Sequence, residues 1–185
     1  MRDRDEHDRE IPLRKKIQDL YALIEGIEIA MFTTRRSDGA LVSRPMATQD
    51  REPGTDLWFV TDIESDKIDD LIADPNVNVS YYNVKSWEWV SVSGVVTVSQ
   101  DREMIRRLYK PDWKAWFGDE GASRDGGPND PRFALLLVDA RSVVYGKRNK
   151  PKPLALFEVV KGMVTGQAPD VADVREVSDA ELKRG

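Results

Sequence analysis

The chain has 185 residues, 40% of them hydrophobic and 33% charged, with a formal net charge of −5. This is enough for one domain with its own core and a small appendage, and the acidic balance argues against nucleic acid as the main partner. Cysteine is absent and the single histidine is His7, in a charged tail, so disulfides and thiolate chemistry are excluded and a zinc site or Ser-His-Asp triad is disfavoured.

Residues 1–10 are almost wholly charged. Such a stretch cannot build a core and is expected to be disordered. It also lacks the apolar centre of a signal peptide, and no later run reaches the roughly 20 apolar residues that span a bilayer. With no cysteine to protect, the expectation is a cytoplasmic protein without a membrane contact. From Leu13 the pattern turns helical. Leu13, Ile17, Leu20, Tyr21, Leu23 and Ile24 recur at three- and four-residue spacing, one face of an amphipathic helix that Gly26 can end.

Residues 27–34 form the first predicted strand, Asp38-Gly39 a hairpin turn, and residues 40–49 the returning strand. Pro45 places that strand at an edge or on a bulge, since proline cannot donate to the ladder. Residues 56–61 form a third strand that runs into a helix ending near Ala73. Residues 77–82 alternate cleanly, and residues 87–99 form a long β-branched strand whose Gly94 suggests a bulge. Asp101 caps a helix to about Tyr109, and residues 111–117 make one aromatic helical turn. Residues 118–130 carry several glycines and read as a flexible loop. Residues 133–139 and 142–145 are the last predicted core strands. One more element is expected at 154–160, and the end from about Gly166 is expected to be loose. Hairpin spacing with short helices favours a small antiparallel barrel over a doubly wound fold.

The stretch from Leu57 to Ile68 is the most informative. A strand leads through a polar turn to a helix N-terminus, where unpaired N–H groups and the helix dipole favour an anion. Thr61 and Ser65 add hydroxyls and Lys67 a full charge, a set suited to a phosphate monoester. An ordinary capped helix with a solvated lysine is the alternative. Arg44, on a strand expected to neighbour the third, can address the same anion with a bidentate guanidinium; the alternative is a surface ion pair with Asp62 or Glu64. Trp87, Trp89, Trp113, Trp116 and Phe117 can wall a flat ligand or simply pack. Trp87 and Trp89, two apart, are expected on one strand face. The run Lys147, Arg148, Lys150 and Lys152 reads as a solvated basic tail.

Read together, Ser43-Arg44-Pro45-Met46-Ala47-Thr48, Leu57-Trp58-Phe59-Val60-Thr61-Asp62 followed by Ser65 and Lys67, Val77-Asn78-Val79-Ser80-Tyr81, Val90-Ser91-Val92-Ser93-Gly94 and Lys114-Ala115-Trp116-Phe117 resemble the general stress protein 26 family of pyridoxamine 5′-phosphate oxidase-like split barrels. The resemblance spans residues 13–146. It implies a mainly β fold with short helices, a six-stranded antiparallel split β-barrel of the FMN-binding type. It divides the chain into a tail (1–10), a flavin-binding domain (11–146) and a partly ordered C-terminal extension (147–185). It further implies a homodimer with FMN at the subunit interface. Arg44, Pro45 and Met46 would line the flavin and ribityl chain. Phe59, Val60 and Thr61 would follow the ring edge, Ser65 and Lys67 would hold the phosphate, and Trp116 would enter from the partner subunit. Family members often carry a Tyr-Trp pair where this chain has Tyr145-Gly146, so one aromatic wall is expected to be missing and that edge of the ring open. The arginine and histidine that read pyridoxamine in the true oxidases have no counterpart after Tyr145. The implied function is that of a flavin-dependent oxidoreductase linked to stress response, with substrate and electron donor unidentified. Its alternatives are a flavin carrier or sensor without turnover, and a deazaflavin or haem binder on the same barrel.

Overall fold

The computed structural model describes residues 11–149 and 172–184, with Pro151, Pro153, Leu154, Lys161, Met163, Thr165 and Gly166 between them. The tail at 1–10, Lys150, Lys152 and most of the element expected at 154–160 lie outside the described residues. Helix α1 (Leu13–Ile27) buries Leu20, Leu23 and Ile24, the stripe its periodicity predicts. Gly26 stays inside the helix, and the chain turns instead at Glu28, with φ 64°.

Strands β1 (Ile29–Arg35) and β2 (Leu41–Ala47) form the expected hairpin, with Gly39 at φ 87° in its turn. Strand β3 (Leu57–Asp62) leads into helix α2 (Asp66–Ala73), followed by β4 (Asn76–Tyr82) and β5 (Trp89–Ser99). Asp101 caps helix α3 (Arg102–Leu108) by accepting from the N–H groups of Glu103 and Met104. A single turn at Pro111–Trp113 continues into the short helix α4 (Lys114–Phe117). The final core strands are one strand, β6 (Phe133–Arg148). Trp87 lies outside β5, in the turn after β4 at φ 64°, so it does not share a strand face with Trp89.

The strands pair antiparallel in the order β2-β1-β4-β5-β6-β3, an open, split barrel. The register of β5 on β6 slips at Gly94. A β-carbon there would stand 3.0 Å from Val138 Cγ1 and closer still to the Asp139 carbonyl, so the bulge requires glycine. Among the described residues there are seven strands rather than six. β7 (Ala172–Ser178) pairs with the second half of β6, Ser142 to Arg148, and short helix α5 (Asp179–Leu182) follows it. Residues 172–182, expected to be loose, are therefore ordered on the sheet, while 167–171 lie outside the described residues. Arg175 of β7 and Lys147 of β6 both donate to the Asp19 carboxylate of α1, each at 2.5 Å. Burial pushes the Asp19 pKa up, but those hydrogen bonds together with the positive charges of Lys147 and Lys15 make the net shift downward.

The expected adjacency of β2 and β3 is not found. β2 pairs along its length with β1, and β3 pairs with β6 from Leu57–Val138 to Asp62–Phe133. The two strands stand at opposite ends of the strand order and face each other across the split, bridged where the Gln49 N–H donates to the Trp58 carbonyl (3.2 Å). Strand alternation sends successive β3 residues to two cores. Phe59 packs inside the barrel, edge-on to Phe32 at 5.2 Å. Trp58 joins Ile105, Trp113, Phe133 and Leu135 outside it, under α3 and the aromatic turn.

Candidate functional site

At the top of β3 the chain makes a tight turn before α2. The Asp62 side chain accepts from the Glu64 N–H (2.8 Å), and the Ser65 hydroxyl donates to the Asp62 carbonyl (2.7 Å). Ser65 occupies the N-cap position of α2 in extended backbone but makes no capping bond with its side chain. Its hydroxyl oxygen instead accepts from Lys67 Nζ at 2.9 Å, and Thr61 Oγ1 accepts from the same ammonium at 2.7 Å. Thr61, Ser65 and Lys67 therefore converge on one point. Burial, and then the nearby Arg44 cation, hold the Lys67 pKa below the usual lysine value, against the pull of Asp62 and Asp66. An ammonium so placed gains from an added anion.

Arg44 reaches this turn from β2. Its guanidinium donates to Thr34 Oγ1 of β1 (2.8 Å) and to Asp70 Oδ2 of α2 (3.2 Å), while the Thr34 hydroxyl also donates to Asp70 Oδ2 (2.8 Å). The partner of Arg44 is thus Asp70, neither Asp62 nor Glu64. Asp70 is buried, so it anchors the guanidinium at the cavity edge instead of leaving it to solvent.

A cavity of about 440 Å³ opens across the split between β2 and β3, within the usual range for a cofactor-sized ligand. Arg44, Thr61, Asp62 and Lys67 form its polar end. Pro45, Met46 and Val60 form one apolar wall, and Trp113, Trp116 and Phe117 form an aromatic one. Ile29, Ala47, Gln49 and Asp112 complete the lining. Of the candidate site residues named from sequence, Arg44, Pro45, Met46, Val60, Thr61, Lys67, Trp113, Trp116 and Phe117 border this cavity. Ser65 reaches it through Lys67, and the side chain of Phe59 is in the barrel core. Trp116 borders the cavity of its own chain and is 85% exposed. Trp87 and Trp89 do not line it.

The space over Gly146 is not open, because the Trp89 indole fills it. Sequence reasoning also passed over Gln49, Asp112, Thr34 and Asp70. Gln49 and Asp112 carry no local signal, whereas the Arg44–Asp70 pair depends on β1, β2 and α2 meeting. A larger cavity of about 860 Å³ is bounded by Tyr21, Arg51, Asp56 and Lys183 among others. None of the candidate site residues named from sequence lines it, and its mixed cations and carboxylates do not converge on one charge type. The loop at 118–130, expected to be flexible, is instead built around the buried Arg132. That guanidinium pairs with Asp130 at 2.7 Å and donates to the carbonyls of Phe117, Gly118 and Arg124.

Comparison with known proteins agrees with this architecture. Residues 15–170 match a family model described as pyridoxamine 5′-phosphate oxidase like. Protein bli-3 of Neurospora crassa is 40% identical over 179 residues, covering 95% of this chain and 86% of that protein. A crystal structure from Jannaschia sp. CCS1, described as a general stress protein 26, superposes with a TM-score of 0.66 at 23% identity, covering 89% of this chain and 99% of that one. The general stress FMN/FAD binding protein of Xanthomonas citri superposes with a TM-score of 0.54 at 27% identity, covering 68% and 84% respectively. No helix among the described residues is long and apolar enough to cross a membrane.

Proposed function

The chain belongs to the pyridoxamine 5′-phosphate oxidase-like family, and from that premise we propose that it binds FMN in the cavity between β2 and β3 and acts as a flavin-dependent oxidoreductase. One observation carries the reading: two cations from different elements, Arg44 and Lys67, stand at one end of a cavity whose other walls are apolar and aromatic. A phosphate needs the first feature and a flat ring the second. The donor set therefore fits the cofactor. The Xanthomonas protein, described as FMN/FAD binding, supports the same choice.

In this reading Lys67, Thr61 and Ser65 bind the phosphate, and Arg44, fixed by Asp70 and Thr34, orients it. Met46, Val60, Trp113, Trp116 and Phe117 exclude water from the ring. Gln49 stands within the lining as an amide donor and acceptor, held by Trp113 Nε1, which donates to its Oε1 at 3.3 Å. A bound flavin supplies hydride or electron transfer, and the protein supplies position and electrostatics. The relatives described as general stress proteins support assigning that chemistry to a stress response.

The flavin is proposed to lie at a homodimer interface. Ile29 and Met31 are exposed on the outer face of β1, opposite Ala47 and Pro45 of β2. Ile29, Pro45 and Ala47 also line the cavity, so this apolar stripe is continuous with the site. Sedimentation with FMN present is expected to return a dimer; a 21.0 kDa species alone at micromolar concentration would reject it. Residues 11–146 are proposed as the flavin-binding domain, with 147–185 as an extension that adds β7.

Reconstitution tests the function. The protein is expected to bind FMN stoichiometrically and to prefer it to a deazaflavin or haem in parallel titrations. Oxidation of reduced nicotinamide by the loaded protein separates an oxidoreductase from a flavin carrier. Tighter binding of haem or of the deazaflavin would overturn the assignment.

A further inference from the structure

We propose that the loop at 118–130 is a strap for the phosphate end of the cavity, and that Arg124 and Glu64 are the positioning residues that fasten it. The inference rests on reading the cavity as a flavin site. The phosphate turn, Asp62 to Lys67, and the aromatic wall at Trp116 and Phe117 are remote in sequence. The strap joins them.

Arg124 donates to both carboxylate oxygens of Glu64, at 2.7 and 2.9 Å. Its Nε donates to Glu120 Oε2 at 2.6 Å, and the other oxygen of Glu120 accepts from Arg132 at 2.8 Å. The same Arg132 nitrogen donates to the Phe117 carbonyl at 2.7 Å. A continuous path of charge-assisted hydrogen bonds therefore runs from the residue before Ser65 to the residue after Trp116. The loop conformation is specific: Gly126 has φ 71°, and a β-carbon there would stand 2.9 Å from Lys114 Cγ. The Gly126 N–H donates to Asp130 Oδ2 at 2.8 Å. Arg132 and Asp130 are buried, while Glu64 and Arg124 are at the surface. The inner part of the network holds the loop, and the outer pair holds the turn to the loop.

An exposed pair contributes little to global stability, so its effect should fall on the segment it tethers. Glu64 sits between Asp62 and Ser65, whose bonds set where Lys67 points. A phosphate held by Lys67 and Ser65 leaves by displacing that turn. Riboflavin, which lacks the phosphate, should not sense the strap.

The test uses the full chain with Arg124→Met, Glu64→Gln, the double variant and Arg124→Lys. FMN release is followed by flavin fluorescence after dilution, and riboflavin affinity is measured in parallel. Each single variant should release FMN about fivefold faster, the double variant should be no faster than the singles, and Arg124→Lys should recover part of the loss. Riboflavin affinity and the melting temperature of the flavin-free protein should not move. Additive effects, or equal losses for riboflavin, would reject the positioning role. Amide exchange of the flavin-free protein reads the strap without any ligand. It should accelerate at residues 63–68 in Arg124→Met, and unchanged exchange there overturns the inference. Failure of the wild type to bind FMN, with that acceleration present, would reject the flavin reading and leave the tether as a device for a different anion.

Discussion

Gly146 lies under the indole of Trp89, its register partner on β5. A β-carbon built on Gly146 would come 2.9 Å from Trp89 Cε2 and nearer still to Nε1. The glycine is thus required by a close approach. Substituting it should cost stability, not gain flavin affinity. Gly146→Ala forces the indole to shift, and Gly146→Trp must evict it; overpacking of this kind typically costs about 1–3 kcal/mol. Urea denaturation of both variants checks this, and a Gly146→Trp protein of wild-type stability would show that Trp89 can move away freely.

Lys67 and Arg44 should matter more for FMN than for riboflavin. Hydrogen bonds to charged groups contribute about 1.5–3 kcal/mol, so Lys67→Ala should weaken FMN by about ten- to a hundredfold and riboflavin little. Arg44→Ala carries a second cost, because it leaves Asp70 buried with only Thr34 as its hydrogen-bonding partner on that oxygen. Fluorescence titration with both ligands measures each effect. Equal losses for FMN and riboflavin would move these side chains away from the phosphate.

The pH dependence of FMN affinity has two limbs. The phosphate gains its second charge near pH 6, so affinity should rise through that value. It should fall again as pH rises through the Lys67 pKa, which burial and Arg44 hold below the ordinary lysine value. Lys67→Ala should lose the alkaline limb and keep the acid one. Without ligand the sign differs. An amine pKa depressed in the folded state means the unfolded chain binds more protons in that window, so the flavin-free protein gains stability as pH rises through it. Calorimetric titrations across pH, paired with melts of the flavin-free protein, test both signs.

Acid should release the strap. Arg132, by its hydrogen bond to the carboxylate, holds the Asp130 pKa down to about 2. A depressed carboxylate contributes stability above its unfolded pKa of about 4 and loses it as pH falls toward the folded value. Amide exchange at Gly126, which donates to Asp130, should accelerate between those two values after correction for intrinsic rates. Acceleration already complete at pH 5 would point to a different group.

Trp116 is 85% exposed and borders the cavity, so Trp116→Ala should leave the flavin-free melting temperature nearly unchanged. It should weaken FMN and reduce the flavin-induced rise in melting temperature, because a ligand stabilises the state it binds in proportion to its affinity. If flavin also bridges two subunits, the same substitution should weaken flavin-linked dimerisation. Melts and sedimentation with and without saturating FMN decide this; an undiminished flavin-induced shift would remove Trp116 from the site.

The strand-to-helix turn was legible because it is local. Thr61, Ser65 and Lys67 fall within one turn of chain, and their convergence follows from the geometry of a strand entering a helix. The glycine at 94 and the cap at Asp101 were legible for the same reason. The Arg44 partner was not, since Asp70 meets it only when α2 packs over the β1–β2 hairpin. The hydrogen bonds that hold the loop at 118–130 to Arg132 were not legible, because glycine count reports backbone freedom and not the approach of a guanidinium from beyond the loop.

Alternation of apolar and polar residues, turn chemistry and helix period determined the elements and the ends of the chemistry-bearing turn, because those signals act between residues a few positions apart. Beyond the β1–β2 hairpin, only the tertiary structure decided which strands pair. β2 and β3 are consecutive in sequence yet stand at opposite ends of the strand order, and a seventh strand from the C-terminal end joins β6. Strand pairing is a choice among distant partners with similar hydrogen-bonding capacity. It is settled by which faces can be buried together, and the cavity between β2 and β3 exists because these two strands were left unpaired with each other.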